Sequence, residues 1–200
     1  MADQTKILLE NLTFPEGPRW HEGRLYFSDF YAHEVVAVDM AGQRETIVEV
    51  PGQPSGLGWT PDGRLLVVSM TDRRLLRLDP GGLVEVADLS ALANYHCNDM
   101  VVDEQGGAYV GNFGFNSHDG SEFKAADLIR VDPDGSVSVA AAGLAFPNGS
   151  VITPDGGTLI VGETRGNILS AWNRAPNGTL SNRRVWADLG AGFPDGICLD

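Results

Sequence analysis

Glu16, Asn98, Asn148 and Asp195 each offer a carboxylate or carboxamide oxygen and fall at one offset of an internal repeat, with Ser55 at the fifth equivalent position. All-oxygen sets suit hard cations, Ca²⁺ above all, with Mg²⁺ or Mn²⁺ admissible; Zn²⁺ is a poorer match because it prefers His and Cys. Two carboxylates balance one divalent charge, and two neutral amides fill positions without adding repulsion. Glu16, Asn98, Asn148 and Asp195 are therefore expected to hold one divalent cation. Asn-Gly and Asp-Gly are also ordinary turn dipeptides. Pro-Asn-Gly occurs at 147–149 and 176–178, and Pro-Asp-Gly at 61–63, 133–135, 154–156 and 194–196. Register separates the two uses: Asn148 and Asp195 precede the first strand of a repeat, whereas the other copies stand between strands.

Close to these oxygens in sequence, Tyr95 and His96 precede Asn98, and Asn112 and Phe113 follow the next apolar run. His96, Asn98, Asn112 and Phe113 are the candidate substrate contacts, with packing at the channel rim as the alternative for His96, Asn112 and Phe113. His21, His33 and His118 fall in turns or loops and read as solvated. Trp20, Trp59, Trp172 and Trp186 read as packing between repeats. No Gly-x-Ser-x-Gly elbow and no glycine-rich loop opening a helix is present, which disfavours serine-triad hydrolysis and nucleotide binding.

The elements that must position these residues follow from the repeat itself. Self-alignment pairs Glu16-Gly-Pro-Arg-Trp, Ser55-Gly-Leu-Gly-Trp, Asn98-Asp-Met-Val-Val, Asn148-Gly-Ser-Val-Ile and Asp195-Gly-Ile-Cys-Leu, at steps of 39, 43, 50 and 47 residues. Periods of about 40–50 residues belong to four-stranded propeller blades. The second repeat predicts strands over 57–59, 64–69, 73–79 and 83–87, with turns at Pro61-Asp-Gly63 and Pro80-Gly-Gly82. Hairpin signals recur at 39–42, 132–135 and 175–178. The first strand of each blade lines a central channel, so residues at one offset converge on its axis. Residues 1–200 are read as one incomplete propeller domain, all-β and without helix.

The 25 Gly and 11 Pro are scattered between short Val/Leu/Ile runs, which suits many strands joined by tight turns. A net charge of −13 with no basic cluster argues against nucleic acid and anionic membranes. No basic, then apolar, leader and no apolar run of about 20 residues is present, so a cytoplasmic protein is expected. Cys97 and Cys198 lie far apart in no metal-ligand spacing and read as reduced thiols.

The segments Phe14-Pro-Glu-Gly-Pro, Cys97-Asn-Asp, Phe146-Pro-Asn-Gly and Phe193-Pro-Asp-Gly-Ile-Cys resemble the gluconolactonase/regucalcin (senescence marker protein) family along the whole chain. The resemblance implies a six-bladed propeller of four-stranded blades, about four of them plus the start of a fifth lying in this chain. It implies one divalent cation at the channel mouth, ligated by Glu16, Asn148 and Asp195, with Asn98 a ligand or direct neighbour and Asp195 also the acid/base residue. The implied activity is a lactonase that opens a small-molecule lactone to a hydroxy acid, with no organic cofactor. Phosphotriester or fluorophosphonate hydrolysis at the same site and a non-catalytic calcium-binding propeller are the rival readings. Sugar-lactonase members present an Arg two residues before the Asn matching Asn98. His96 stands there in this chain, which implies weaker use of polyhydroxylated lactones. Residues 7–9 match the fourth strand that precedes each later motif, and Asp200 falls inside a fifth opening strand. The ring is thus expected to close through residues 7–9 with about two further blades beyond Asp200. The closed protein is expected to be a monomer or weak homo-oligomer, and residues 1–200 alone to self-associate with little activity.

Overall fold

A computed structural model of the chain describes residues 6–116 and 119–199; residues 1–5, Ser117, His118 and Asp200 lie outside them. Four four-stranded antiparallel sheets follow one another in chain order, and the described residues contain no helix. Blade one is β1 (Pro15–His21), β2 (Arg24–Asp29), β3 (Glu34–Val38) and β4 (Arg44–Glu49). Blade two is β5 (Pro54–Trp59), β6 (Leu65–Ser69), β7 (Arg74–Asp79) and β8 (Gly82–Asp88). Blade three is β9 (Cys97–Val102), β10 (Ala108–Asn112), β11 (Ala126–Val131) and β12 (Val137–Leu144). Blade four is β13 (Pro147–Ile152), β14 (Thr158–Glu163), β15 (Ile168–Arg174) and β16 (Leu180–Asp188). Each sheet is a simple meander, and the first strands β1, β5, β9 and β13 contact one another in sequence around the axis. This is an all-β propeller with four blades described.

The turns obey the local chemistry of the sequence. Pro-Asp-Gly at 61–63, 133–135 and 154–156 and Pro-Asn-Gly at 176–178 all close hairpins, with the glycine N–H returning to the carbonyl of Thr60, Asp132, Thr153 or Ala175 at 2.8 Å. Their glycines have φ between 70° and 86°, the left-handed region that only glycine enters without steric cost. Gly149 is different: it lies within β13 and outside that region.

The core lies between blades rather than inside any one. Val35 of blade one meets Leu57, Leu65 and Val67 of blade two. Leu66, Val68 and Leu75 of blade two meet Met100, Ala108, Val110 and Ile129 of blade three. Tyr109, Leu128 and Leu144 of blade three meet Leu159, Val161 and Trp172 of blade four. The tryptophans divide accordingly. Trp172 and Trp59 pack across blade interfaces, Trp59 against Tyr26 and stacked on His21 at 3.9 Å. Trp20 and Trp186 are 59% and 54% exposed, so inter-blade packing holds for two of the four. His21 is correspondingly half-covered by Trp59, while His33 is exposed with Nδ1 at 2.9 Å from the Pro51 carbonyl.

Two expectations from the repeat need correction. Residues 7–9 form no strand; a strand needs a ladder partner, and none among the described residues runs beside them. Leu8, Leu9 and Leu12 instead lay side chains onto the Phe27, Val36 and Val38 face of blade one. Residues 195–199 likewise carry no ladder, although Gly149 N–H donates to the Asp195 carbonyl at 3.1 Å and holds this segment against β13. No helix of the described residues is long and apolar enough to cross a membrane.

Candidate functional site

Each innermost strand carries one extra residue at the same level. The pairing slips between Glu16 and Arg19, between Pro54 and Leu57, between Cys97 and Met100, and between Pro147 and Ser150. Such bulges interrupt the ladder and re-aim side chains. They fall where the oxygen-bearing residues stand, so Ser55, Asn98 and Asn148 leave the regular pleat and Glu16 sits at its edge.

The residue after each of these is glycine in four of five repeats, and crowding explains the glycines of the described blades. A Cβ on Gly56 would stand 2.4 Å from the Met100 amide nitrogen, and one on Gly149 would stand 2.4 Å from the Asp195 carbonyl and 2.6 Å from the Ile197 nitrogen. At these two glycines successive inner segments approach too closely for a side chain, so Ser55-Gly56 and Asn148-Gly149 serve close packing rather than a turn, whereas Gly196 has nothing within 4 Å of where a Cβ would stand. Asp99 is the exception. Its carboxylate turns aside to accept Arg19 Nη2 at 2.7 Å and its neighbour's Met100 N–H at 2.8 Å.

Glu16, Ser55, Asn98 and Asn148 line one cavity of about 200 Å³, together with Arg19, Asp99 and residues 196–198. Asp195 lies at its edge: Asn148 Nδ2 donates to Asp195 Oδ1 at 2.8 Å and to Thr164 Oγ1 at 3.1 Å. With its amide hydrogens so engaged, Asn148 presents its carbonyl oxygen as the remaining pole. Ser55 Oγ reaches Asn98 Oδ1 at 3.5 Å. The Glu16 carboxyl is pushed up to about 7, first by burial and then by the negative charges of Asp195 and Asp99, against a lowering hydrogen bond from Gly17 N–H. Among the described residues no cluster of three or more His, Cys, Asp or Glu side chains is placed to hold a metal. A cation here would need amide as well as carboxylate oxygens, and this donor set supplies both. The residues fit a hard cation.

A second ring of polar residues stands behind the inner strands, two of its members fixing the approach to them, and sequence reasoning missed most of it. The last residues of the second strands, Asp29, Ser69, Asn112 and Glu163, pair in register with Pro15, Pro54, Cys97 and Pro147. Asp29 accepts Phe14 N–H at 2.7 Å and also bonds Thr13 through its backbone and hydroxyl, fixing the approach to Glu16. Glu163 accepts Ala145 N–H at 2.8 Å and fixes the approach to Asn148. Asn112 belongs to this set. It is fully buried, its Nδ2 donates to the Asp127 carbonyl at 2.7 Å and its Oδ1 accepts Gly114 N–H at 3.1 Å, so it shapes the β10–β11 loop rather than facing a substrate.

His96 and Phe113 stand at the start of β9 and the end of β10, joined by Phe113 N–H to the His96 carbonyl at 2.9 Å. His96 stacks on Tyr95 at 4.0 Å, and Phe113 stacks on Phe146 at 4.5 Å. An aromatic row thus crosses from blade three to blade four, near Asn98 and Asn148 in sequence but outside the residues that line the cavity. Phe146 adopts φ 66° to join it, a strained setting for a bulky side chain. Cys97 is buried, which pushes its thiol up to about 12, and Cys198 is exposed; both are free.

The sequence family described as the SMP-30/Gluconolactonase/LRE-like region matches residues 14–200. The chain belongs to this family. A gluconolactonase of Zymomonas mobilis is 26% identical over 229 residues, an alignment that takes in 98% of this chain and 64% of the relative. A pentonolactonase of Haloferax volcanii is 27% identical over 202 residues, covering 98% of this chain and 66% of the relative. The chain spans just under two thirds of the length of these curated relatives. Among solved structures, a gluconolactonase from Xanthomonas campestris matches with a TM-score of 0.82 at 27% identity, covering 96% of this chain and 69% of that one.

Proposed function

We propose that the protein is a divalent-cation-dependent hydrolase that opens a lactone ring to a hydroxy acid, its chain forming part of a six-bladed ring. The observation that carries this is the convergence of Glu16, Asn98, Asn148 and, at the edge, Asp195 on one cavity. Membership of a family whose relatives include a gluconolactonase and a pentonolactonase supports the reading.

Glu16, Asn98, Asn148 and Asp195 would hold the cation. When bound, it supplies Lewis acidity toward a carbonyl oxygen and compensates the charge that develops there. The remaining work belongs to the chain. Asn148 orients the Asp195 carboxylate through its 2.8 Å amide bond, leaving Asp195 Oδ2 to hold a water against the carbonyl carbon and take its proton. A ligand carboxylate is a weak base, so its value lies in position more than in basicity. Glu16, whose carboxyl is raised by burial and then by the negative charges of Asp195 and Asp99, is the group a bound cation would relieve most. The His96–Tyr95 and Phe113–Phe146 pairs, next to Asn98 and Asn148 in sequence, would offer an aromatic wall to the apolar face of a lactone.

The test is hydrolysis of a panel of lactones and phosphotriesters by full-length protein, before and after chelation and with Ca²⁺, Mn²⁺ or Zn²⁺ restored. Lactone turnover that disappears on chelation and returns with metal is expected. Undiminished turnover in protein shown by elemental analysis to be metal-free overturns the mechanism.

A further inference from the structure

We propose that the Arg19–Asp99 ion pair sets the charge of the cation site and thereby its affinity for a divalent cation. The inference rests on the cation reading above. Arg19 leaves β1 three residues after Glu16, just past the bulge, and its Nη2 donates to Asp99 Oδ1 at 2.7 Å and to the Met100 carbonyl at 2.8 Å. The contact runs from blade one to blade three, passing over blade two, whose β5 lies between β1 and β9. Both residues line the cavity described above. Side-chain exposures of 24% for Arg19 and 9% for Asp99 mark a largely dehydrated pair, in which charge is weakly screened.

Two features make the pair more than a tie between blades. Asp99 occupies the offset where the other repeats carry Gly17, Gly56, Gly149 and Gly196, so it brings a third carboxylate to a cavity edged by Glu16 and Asp195. Arg19 is the only Lys or Arg among the described residues that line this cavity. Paired, the two cancel, and the cation meets the two-carboxylate balance of Glu16 and Asp195. Unpaired, either leaves a full charge beside the ligands.

The variants follow directly. Arg19→Met exposes the Asp99 carboxylate and is expected to tighten Ca²⁺ binding, measured by titration calorimetry on full-length protein. Asp99→Asn leaves the guanidinium uncompensated and is expected to weaken it. Each change should be at least about tenfold: a unit charge about 10 Å from a divalent cation at an effective dielectric near 20 gives roughly a few hundredfold, which salt screening reduces. The double variant should return close to wild type, and Arg19→Lys, which keeps the charge in a milder substitution, should do likewise. Thermal denaturation in chelator reports folding separately. A pair that only braces the blades would lower stability and weaken Ca²⁺ in both single variants. Shifts of the same sign, or none, while wild type binds Ca²⁺ overturn the inference and leave the cation reading intact. A wild type that binds no divalent cation overturns both.

Discussion

Replacing Asp103 by Asn removes one negative charge from a network that joins blades three and four, and the structure gives the cost. Asp103 follows β9, with a side chain 0% exposed. Its Oδ2 accepts Arg130 Nη1 and Arg174 Nη2, both at 2.7 Å, from guanidinium side chains that are 6% and 1% exposed. Its Oδ1 caps the following turn by accepting Gln105 N–H at 3.0 Å and Gly107 N–H at 2.9 Å. An Asn in either orientation sets an NH₂ group against donors: the two guanidinium groups, or the two turn amides. Arg174 already has a buried Nε without a partner, so it has no slack to absorb the loss. Two charge-assisted bonds at about 1.5–3 kcal/mol each, or equally a broken buried ion pair, put the cost at about 3–5 kcal/mol. Equilibrium denaturation in urea at pH 7, comparing extrapolated free energies, measures it. Burial alone would raise the Asp103 carboxyl, but the guanidinium groups of Arg174 and Arg130 and the Gly107 amide outweigh it and hold it below the usual range. The folded state thus binds fewer protons than the unfolded one. Asp103's contribution is present above the ordinary Asp value near 3.9 and is lost as pH falls below it. The gap between wild type and variant should therefore narrow toward pH 3. A loss under about 1 kcal/mol at pH 7, or a gap that does not narrow in acid, refutes the argument.

Asp195→Asn should lower kcat by roughly 10²-fold or more while the protein still takes up cation, whereas Asn177→Ala, in a hairpin turn of the same Pro-Asn-Gly sequence, should leave kcat near wild type. Equal effects at the two positions would show that position in the repeat does not assign the chemistry. Gly149→Ala should destabilise the protein by about 1–3 kcal/mol and weaken cation uptake, because its Cβ would meet the Asp195 carbonyl at 2.4 Å; unfolding curves and a Ca²⁺ titration read both effects. His96→Arg should raise the ratio of kcat/KM for gluconolactone to that for an unsubstituted lactone, and an unchanged ratio would free His96 of any part in specificity. Thiol titration should count one reactive cysteine, Cys198, in the native protein and two after denaturation, since burial pushes Cys97 up to about 12.

The repeat made the architecture readable because a turn closed by glycine punctuates every blade, as Pro-Asp-Gly or Pro-Asn-Gly in blades two, three and four. The four strands read from the second repeat match β5–β8 to within a few residues at their ends. The candidate oxygens were readable for the same reason: equal offset means equal place around the axis. What could not be read was anything carried by pairing between distant residues. Asp29 and Glu163 fix the approach to an inner strand from the same place in the blade where Ser69 and Asn112 stand, so no recurring letter marks them, and Asn112 looked like a substrate contact until its partners were known. Arg19 and Asp99 are 80 positions apart and meet only because the channel is narrow. Residues 7–9 have a strand's composition, yet composition alone cannot supply the neighbour that makes a strand.

The recurring bulge means that where an oxygen sits is decided by the backbone, and which oxygen sits there by a single letter. Glu16, Ser55, Asn98 and Asn148 occupy four places that the fold treats alike, so the cavity is lined by a set of interchangeable stations around a wheel. Ser55 is the station whose side chain adds neither charge nor amide. Replacing it with Asp would add a charge without rebuilding a strand, and replacing Glu16 with Gln would subtract one. Formal charge, ligand hardness and mouth polarity can each change at a different station. Point substitution at these stations can therefore change the charge and polarity of the cavity while the cores, which lie between blades, stay as they are.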